Sequence, residues 1–360
     1  MSIVRLDITH LRNISNERFA FHLTRNIFFG GNGAGKTSVL EAIYLLTTAR
    51  SFKTRELSSL ISNDFSSLEL FGKTIDENTV CIQKTRSATF VRFNHTPCLR
   101  SSALALMMPC QVFYQDMFEI INAGPSVRRT ILDWGLFHVK PSHGSLLKDC
   151  RRILKQRNIL LRQKAPLSNL LPWNKQLVDV SEKLHEYRRE YVSAWAEQFS
   201  KTLPLLTNIA CTLDYQKGWD KKNSGASLET ILLEQYDLDV FRQYTHSGAH
   251  QADLIFNMDN LNAKQHLSRG QQKLILIAIK LAQAALLEKE CIFLFDDITS
   301  ELDKPHLHRL FALLDTIPGQ QFFTTTDPEL FNDYRNNADF FSLKDGIAIK
   351  EEVSRETSSC

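Results

Sequence analysis

A glycine-rich octapeptide between a predicted strand and a predicted helix is the feature that most constrains this chain. Residues 30–37 read Gly-Gly-Asn-Gly-Ala-Gly-Lys-Thr and match the G-x-x-x-x-G-K-T pattern of a phosphate-binding loop. The apolar run 27–29 precedes the loop, and residues 38–46 follow it with helical spacing of apolar side chains and no Gly or Pro. This order of strand, glycine turn and helix predicts an α/β nucleotide-binding fold.

The residue types within the loop predict how it holds a nucleotide. Gly30, Gly33 and Gly35 permit backbone conformations that gather successive N–H groups around an anion, and the following helix N-terminus adds partial positive charge. Lys36 is expected to reach the β- and γ-phosphates, and the Thr37 hydroxyl to ligand Mg²⁺. The predicted contacts to ATP comprise Gly30, Gly31, Asn32, Gly33, Ala34, Gly35, Lys36, Thr37 and Ser38.

Composition narrows the class of protein further. The 360 residues are 43% hydrophobic and carry a net charge of only +3, so contact with nucleic acid requires a local basic patch. The most apolar stretch, 274–287, is interrupted by Lys280 and Gln283 and is too short to span a bilayer. No signal-peptide pattern is visible, and the seven cysteines form no C-x-x-C pair. We therefore predict a cytoplasmic protein with no membrane partner.

The order of predicted elements suggests a head domain assembled from both ends of the chain. Strand-like runs occupy the first hundred residues, a mostly helical stretch runs from 124 to about 199, and strand–helix alternation returns after 253 with strands 253–257, 291–295 and 320–326. This alternation indicates parallel pairing. We predict an α/β head with a mixed sheet at 1–105 and 241–360, and a mostly helical insertion at 106–240.

Two adjacent acids follow the apolar strand 292–295. Asp296 is predicted to coordinate Mg²⁺, partly through water, and Asp297 to orient an attacking water. Alone, this pattern is also typical of a buried strand that ends in a solvated turn. Together with Lys36 and Thr37, it favours a catalytic nucleotide site.

Upstream of these acids, residues 267–271 read Leu-Ser-Arg-Gly-Gln and resemble the L-S-x-G-Q signature of ABC-type ATPases. The resemblance implies that Ser268 and Gly270 contact, in trans, the γ-phosphate of ATP held by a second subunit. It also implies that Asp303, in Ser-Glu-Leu-Asp at 300–303, belongs to a loop at the dimer axis. By itself, Ser268 also has the character of an ordinary helix N-cap.

A set of short segments distributed over nearly the whole chain carries a narrower resemblance. The segments are 11–13 (Leu-Arg-Asn), 37–43 (Thr-Ser-Val-Leu-Glu-Ala-Ile), 124–129 (Gly-Pro-Ser-Val-Arg-Arg), 132–134 (Leu-Asp-Trp), 250–253 (His-Gln-Ala-Asp), 267–271, 296–297 and 300–303. Together they resemble the RecF family of bacterial recombination mediators. The resemblance implies a weak, DNA-dependent ATPase of recombinational repair and replication-fork maintenance, which dimerises with ATP on single- and double-stranded DNA. It further implies cooperation with the RecO and RecR proteins to load recombinase at DNA gaps.

The family resemblance also assigns residues and exposes departures from the wider ABC pattern. Arg12 is implied as a nucleotide contact and Gln111 as the lid glutamine, with Gln115 as the competing candidate. Asp297 stands in place of the usual catalytic glutamate, and Arg269 replaces the first signature glycine. Threonines, beginning with Thr324, stand where many members have a switch histidine. The shorter acid and the missing histidine suggest slow hydrolysis.

A basic stripe marks the candidate DNA surface. One face of a predicted helix carries Lys148, Arg151, Arg152, Lys155 and Arg162, which can neutralise phosphates without reading bases. A solvated helix face is the alternative interpretation of the same pattern. Arg157 falls among the apolar positions, which suggests an internal partner. Two other functions stay open at this point, a soluble transporter ATPase subunit and a nucleotide-sensing scaffold without catalysis.

Overall fold

The computed structural model describes residues 2–54, 56, 58–98, 101–115, 123–222, 224–258, 261–262 and 267–351. By internal contacts the chain divides into two compact units, Met1–Met117 with Glu288–Cys360, and Phe118–Leu287. The first unit, called the head below, contains both ends of the chain. The second is called the helical unit. The domain boundaries that the sequence suggests, after residues 105 and 240, stay a prediction.

Strands predominate before residue 100, and helices predominate between residues 125 and 242. In chain order, the elements are β1 (Ile3–Leu11), β2 (Ile14–Ala20), β3 (Arg25–Phe29), α1 (Lys36–Thr48), β4 (Ser67–Thr74), β5 (Thr79–Thr85), β6 (Thr89–Phe93), β7 (Thr96–Pro97), α2 (Ser101–Met107), β8 (Cys110–Phe113), α3 (Pro125–Val139), α4 (His143–Arg162), α5 (Leu167–Leu206), β9 (Thr212–Gln216), α6 (Leu228–Glu234), α7 (Tyr236–Arg242), β10 (Asp253–Met258), β11 (Leu261–Asn262), α8 (Arg269–Ala284), β12 (Ile292–Phe295), α9 (Ile298–Glu301), α10 (Lys304–Leu314), β13 (Gln321–Thr325), β14 (Ala338–Lys344) and β15 (Ile347–Lys350).

A largely parallel sheet forms the centre of the head. Its strand order is β15-β14-β3-β13-β12-β8, and every neighbouring pair is parallel except β14 with β15. Strands β8, β12 and β13 are buried at every position, as expected for parallel strands covered on both faces. The carboxyl ends of β3, β8, β12 and β13 meet at one edge, where open α/β sheets bind ligands.

An antiparallel sheet of order β2-β1-β4-β5-β6-β7 forms the second layer of the head. Helix α1 packs against β1, β4 and β5 of this sheet and against β8 and β13 of the parallel one. Its close fit is visible at Gly72 of β4, where an added Cβ would lie 2.1 Å from the Leu46 side chain. Because both sheets cover α1, the helix that follows the phosphate loop is anchored along its length.

The helical unit is organised around the 40-residue helix α5. Its buried positions, which include Leu170, Leu177, Leu184 and Tyr191, recur at helical spacing. Trp195 is fully buried, and its indole N–H donates to the Ile279 carbonyl of α8 at 2.9 Å. The mostly helical character predicted for residues 124–199 is therefore present.

Strand pairing near residue 253 differs from the prediction. Strand β10 forms at the predicted place, but it pairs antiparallel with β9 and β11 in a three-stranded sheet of the helical unit. Its sequence, Asp-Leu-Ile-Phe-Asn-Met, is apolar enough for a parallel strand but does not determine its partner. Strand β8, a four-residue segment containing a glutamine, has no counterpart among the predicted strands.

Candidate nucleotide-binding site

The phosphate loop leaves β3 and enters α1 through three glycines with positive φ. The angles are 149° at Gly30, 80° at Gly33 and 106° at Gly35. At Gly30, an added Cβ would lie 2.2 Å from the carbonyl oxygen of Leu343, so both the backbone angle and the space exclude a larger residue. The three glycines thus adopt backbone conformations that residues with a side chain rarely take.

Lys36 lies folded along this loop as the first residue of α1. Its Nζ donates to the carbonyls of Gly30 at 2.7 Å and Gly31 at 2.9 Å. Burial lowers the pKa of Lys36, while Asp297 and Asp296 act in the opposite direction. The ammonium is thereby held inside the loop, between its carbonyls and the two acids.

Two hydroxyls hold the Asp296 carboxylate from opposite ends of the chain. The Thr37 Oγ1 donates to Asp296 Oδ1 at 2.8 Å, and the Thr324 Oγ1 donates to the same oxygen at 2.9 Å. Hydroxyl and carboxylate oxygens are the ligands that Mg²⁺ prefers, and it keeps several water or phosphate ligands besides. The donor set therefore fits Mg²⁺ at Thr37 and Asp296. No cluster of three or more His, Cys, Asp or Glu suited to a metal occurs in the part of the chain that the structure describes.

Asp297 has a strained backbone and an unsatisfied carboxylate oxygen. Its φ of 52° and ψ of 36° lie in the left-handed region, which is uncommon for a residue other than glycine. Its backbone N–H donates to Thr324 Oγ1 at 2.8 Å, and its Oδ2 accepts from Ser300 Oγ at 2.9 Å. Its buried Oδ1 has no hydrogen-bond partner among the described residues. One buried carboxylate oxygen beside the loop is thus left without a hydrogen-bond donor from the described residues.

A cavity of about 390 Å³ joins the loop to the acid pair. Residues 32–38, Asp296 and Asp297 line it, whereas Gly30 and Gly31 do not. The other lining residues are Asn13, Lys53, Gln115, Glu301 and Thr324. The sequence suggests Gln115 as the alternative lid glutamine and places Thr324 where many members have a switch histidine. It predicts no individual role in this site for the remaining three. Lys53 Nζ lies 3.8 Å from Asp296 Oδ2 and adds a second cation to the site. Its segment, Ser-Phe-Lys at 51–53, carries no motif that would have identified it.

The loop is braced by two other segments. Asn13 donates from Nδ2 to the Gly33 carbonyl at 3.1 Å and accepts from Ser38 Oγ at 3.1 Å. The turn between β14 and β15 supplies the Gly346 N–H, which donates to the Ala34 carbonyl at 3.0 Å. The loop conformation therefore depends on residues from both ends of the chain.

The two candidate lid glutamines have different surroundings. Gln115 lines the cavity, whereas Gln111 lies within β8, is only 3% exposed and has no hydrogen-bond partner for Nε2 among the described residues. This placement favours Gln115, the alternative that the sequence left open. Arg12 forms an ion pair with buried Glu41 of α1 and does not line the cavity.

The signature residues begin α8 in the helical unit. Ser268 is exposed and caps the helix, accepting from the Gln271 N–H at 3.3 Å while the Gln271 side chain accepts from the Ser268 N–H at 2.9 Å. This is a capping box. Gly270 is exposed, and no atom lies within 4 Å of a Cβ added there. In the head, exposed Asp303 similarly caps α10 by accepting from the His306 N–H at 3.0 Å.

Comparison with known proteins decides the family. A family model described as the RecF/RecN/SMC N terminal domain matches residues 2–348. The DNA replication and repair protein RecF of Shewanella piezotolerans is 37% identical over 337 residues, covering 91% of this chain and 93% of that protein. The RecF of Pseudomonas paraeruginosa is 35% identical over 344 residues, covering 92% of each. The chain belongs to the RecF family.

Solved structures agree with the fold expected of a RecF-family chain. The recombination mediator protein RecF with ATP, described as part of the RecFOR pathway, has a TM-score of 0.84 at 23% identity, covering 97% of this chain and 99% of that one. An Smc head bound to the C-winged helix domain of ScpA has a TM-score of 0.62 at 15% identity, covering 99% and 98%. The predicted α/β fold of an ABC-type ATPase head is thus confirmed.

Helix α4 of this RecF-family chain has the two faces predicted from its sequence. The basic side chains of the stripe are exposed, namely Lys148, Arg151, Arg152, Lys155 and Arg162. Arg157 is fully buried and donates to Asp239 at 2.7 Å, Asn174 at 2.8 Å and Thr245 at 2.7 Å. The inward arginine thus has an internal partner, as expected. No helix in the described residues is long and apolar enough to cross a membrane.

Proposed function

We propose that this chain is an ATP-dependent DNA-binding protein of recombinational repair and replication, in which ATP binding closes a homodimer and slow hydrolysis reopens it. The observation that carries the proposal is the hydrogen-bonded group formed by Thr37, Asp296 and Thr324 beside the phosphate loop. Relatives named DNA replication and repair protein support the cellular role.

The head supplies the groups that nucleotide binding requires. The Lys36 ammonium and the loop N–H groups bind the phosphates, with Arg12 as a further proposed contact. Thr37 and Asp296 would hold Mg²⁺, which neutralises phosphate charge when bound. Asp297, whose Oδ1 has no hydrogen-bond partner within the described ranges, is proposed to orient water, and a lid glutamine, Gln111 or Gln115, to assist it. Because Asp297 is shorter than glutamate, we infer slow turnover.

The other half of the site is proposed to come from a second copy of the chain. Ser268 and Gly270 lie exposed at the start of α8, where free backbone N–H groups suit an anion. Asp303 is exposed at the start of α10 and is proposed to lie at the dimer axis. These exposed residues have space for a partner's nucleotide.

DNA contact is assigned to the exposed stripe of α4. Its cations attract backbone phosphates of single- or double-stranded DNA regardless of sequence, so affinity should fall steeply with salt. Charge reversal at Arg151 and Arg152 should weaken binding, whereas affinity independent of salt would count against the stripe. From the family relationship we extend the proposal to cooperation with RecO and RecR, which would load recombinase at DNA gaps.

Light scattering with and without ATP tests the dimer. We expect ATP-dependent dimers of the wild type, none of Lys36→Ala because it loses ATP, and a persistent dimer of Asp297→Asn because it hydrolyses ATP more slowly. A Ser268→Ala protein that is folded and dimerises normally would remove the proposed trans contact. Binding of ATP with no turnover by the wild type would instead favour a nucleotide-sensing scaffold.

A further inference from the structure

A second cavity, of about 200 Å³, lies within the helical unit and is lined by several arginines. Arg129 of α3, Arg151 of α4 and Arg188 of α5 line it, together with the hydroxyl-bearing Ser126 and Thr130 of α3. The cavity is called the arginine cavity below. Ser126 belongs to the first turn of α3, so the partial positive charge of that helix N-terminus adds to the arginines.

Arg188 is the buried member of this set. It is 2% exposed, donates from Nη1 to the Ala249 carbonyl at 2.5 Å and from Nη2 to Asp133 Oδ1 at 2.9 Å. Its Nε makes no hydrogen bond of normal geometry to the described residues, although the Tyr215 hydroxyl lies beside the guanidinium. A buried guanidinium N–H without an acceptor is costly unless a ligand or water supplies one.

Cations outnumber acids among the side chains that line the arginine cavity. Asp133 is the acid that lines it, and this carboxylate pairs with Arg188 and with His143. Arg129 and Arg151 form no ion pair with any of the described residues. Burial lowers the pKa of Arg129 and the nearby Arg188 lowers it further, while Asp253 and Asp133 act in the opposite direction.

We propose that the arginine cavity binds a phosphate dianion. Arg129 and Arg151, which form no ion pair with the described residues, match the two charges of a phosphate monoester or of inorganic phosphate near neutral pH, whereas a carboxylate would balance only one. The volume exceeds that of several waters, each of which occupies about 30 Å³. The group can come from the end of a polynucleotide or from free phosphate. This inference does not rest on the proposed dimerisation or ATP turnover.

Inorganic phosphate is the probe for the first test. Every variant also carries Lys36→Ala, because the phosphate loop is another place where phosphate binds, and chloride keeps the ionic strength constant. We expect phosphate to raise the melting temperature of this background protein. Arg129→Gln and Arg151→Gln should abolish the rise, or weaken the dissociation constant at least tenfold by calorimetry. Arg152→Gln is the matched control, since Arg152 is exposed on the same helix and does not line the cavity.

The outcomes separate the possibilities. Equal phosphate responses in Arg129→Gln, Arg151→Gln and Arg152→Gln, or no response at all, overturn the proposal. Because Arg151 is exposed, its variant remains informative even if Arg129→Gln unfolds. Oligonucleotides with and without a 5′-phosphate then identify the source. A preference for the phosphorylated end that is lost in Arg129→Gln assigns the cavity to DNA, and equal affinities alongside the phosphate response assign it to free phosphate.

Discussion

Thr37 and Asp296, which lie 259 residues apart in the chain, are joined by a 2.8 Å hydrogen bond from hydroxyl to carboxylate. The bond connects the first turn of α1 to the end of β12. Thr324 donates to the same carboxylate oxygen, so Asp296 is held from two directions. The two oxygen donors proposed for Mg²⁺ are therefore held beside each other by hydrogen bonds from distant parts of the chain.

Asp296→Asn should reduce ATP turnover about 100-fold, because it removes a preorganised charge while keeping the side-chain size. Nucleotide affinity measured with Mg²⁺ should fall to the value measured with EDTA. Steady-state turnover and a fluorescent-nucleotide titration check both effects. Asp333→Asn, at an exposed carboxylate that does not line the loop cavity, is the control. Undiminished turnover in Asp296→Asn would show that this carboxylate is not a ligand.

Substitutions of Ser268 should separate its capping role from its proposed contact with a partner's nucleotide. Ser268→Asn keeps an N-cap acceptor, so stability should stay close to that of the wild type, whereas Ser268→Ala should lose about 1 kcal/mol. Both should lose the ATP-dependent dimer if the hydroxyl is needed in trans. Denaturant unfolding and light scattering measure the two effects. If the Ser268→Asn variant still forms the ATP-dependent dimer, the Ser268 hydroxyl caps α8 but is not needed for contact with the partner's nucleotide.

Arg157→Met should destabilise the protein by about 3–5 kcal/mol, because buried Asp239 would lose its guanidinium partner and keep only His246. Both side chains are fully buried. Urea unfolding measures the change. Arg152→Met, at an exposed position of the same helix, should change stability by less than about 0.5 kcal/mol. Similar losses in the two variants would contradict the importance of the buried pair.

His250 should make the protein less stable as the pH falls from 7 to 5. Burial lowers the pKa of His250 from 6.5 to about 4, so the unfolded chain binds the proton more readily within this window. Stability therefore rises with pH between about 4 and 6.5. His250→Gln keeps a donor for the Thr245 carbonyl, which Nε2 contacts at 3.0 Å. Its loss of unfolding free energy between pH 7 and 5 should be smaller by about 2 kcal/mol. An equal loss in both proteins would be evidence against this titration.

Gly346→Ala and Gly225→Ala form a matched pair that tests the brace on the phosphate loop. Their φ angles are 82° and 83°, so the backbone cost of about 1–2 kcal/mol is shared. An added Cβ at Gly346 would lie 2.1 Å from the Asn13 carbonyl oxygen, whereas no atom lies within 4 Å at Gly225. Gly346→Ala should cost about 1–3 kcal/mol more and weaken ATP binding. Thermal unfolding and nucleotide titration check this, and equal effects of the two variants would exclude the brace.

Local patterns made much of the head predictable. The loop at 30–37 and the acids after β12 depend on residues adjacent in sequence, so their motifs are legible. The roles of Lys53 and Thr324 arise only when distant segments meet at the edge of the parallel sheet. In the sequence, Thr324 is notable because it stands where many members have a switch histidine. The structure adds that its hydroxyl hydrogen-bonds both Asp296 and Asp297.

Strand partners were harder to predict than strands. The alternation of predicted strands and helices places β10 correctly. It does not show that the neighbours of β10 are β9 and β11 instead of a strand of the head. For a related reason, the sequence does not decide whether Gln111 or Gln115 is the lid glutamine. Both follow apolar residues, and only the bounds of β8 show that Gln111 is inside the strand and Gln115 beyond it.

The position of β3 in the parallel sheet has a consequence for biosynthesis. Its neighbours on both sides, β13 and β14, are translated about three hundred residues later. Until the ribosome has made them, an apolar strand that leads into the phosphate loop has two unpaired edges and is prone to aggregate. Such distant pairing also slows folding. A truncated product that ends before residue 321 would thus contain the complete loop motif without its supporting sheet, and nascent chains should need chaperone protection for most of their synthesis.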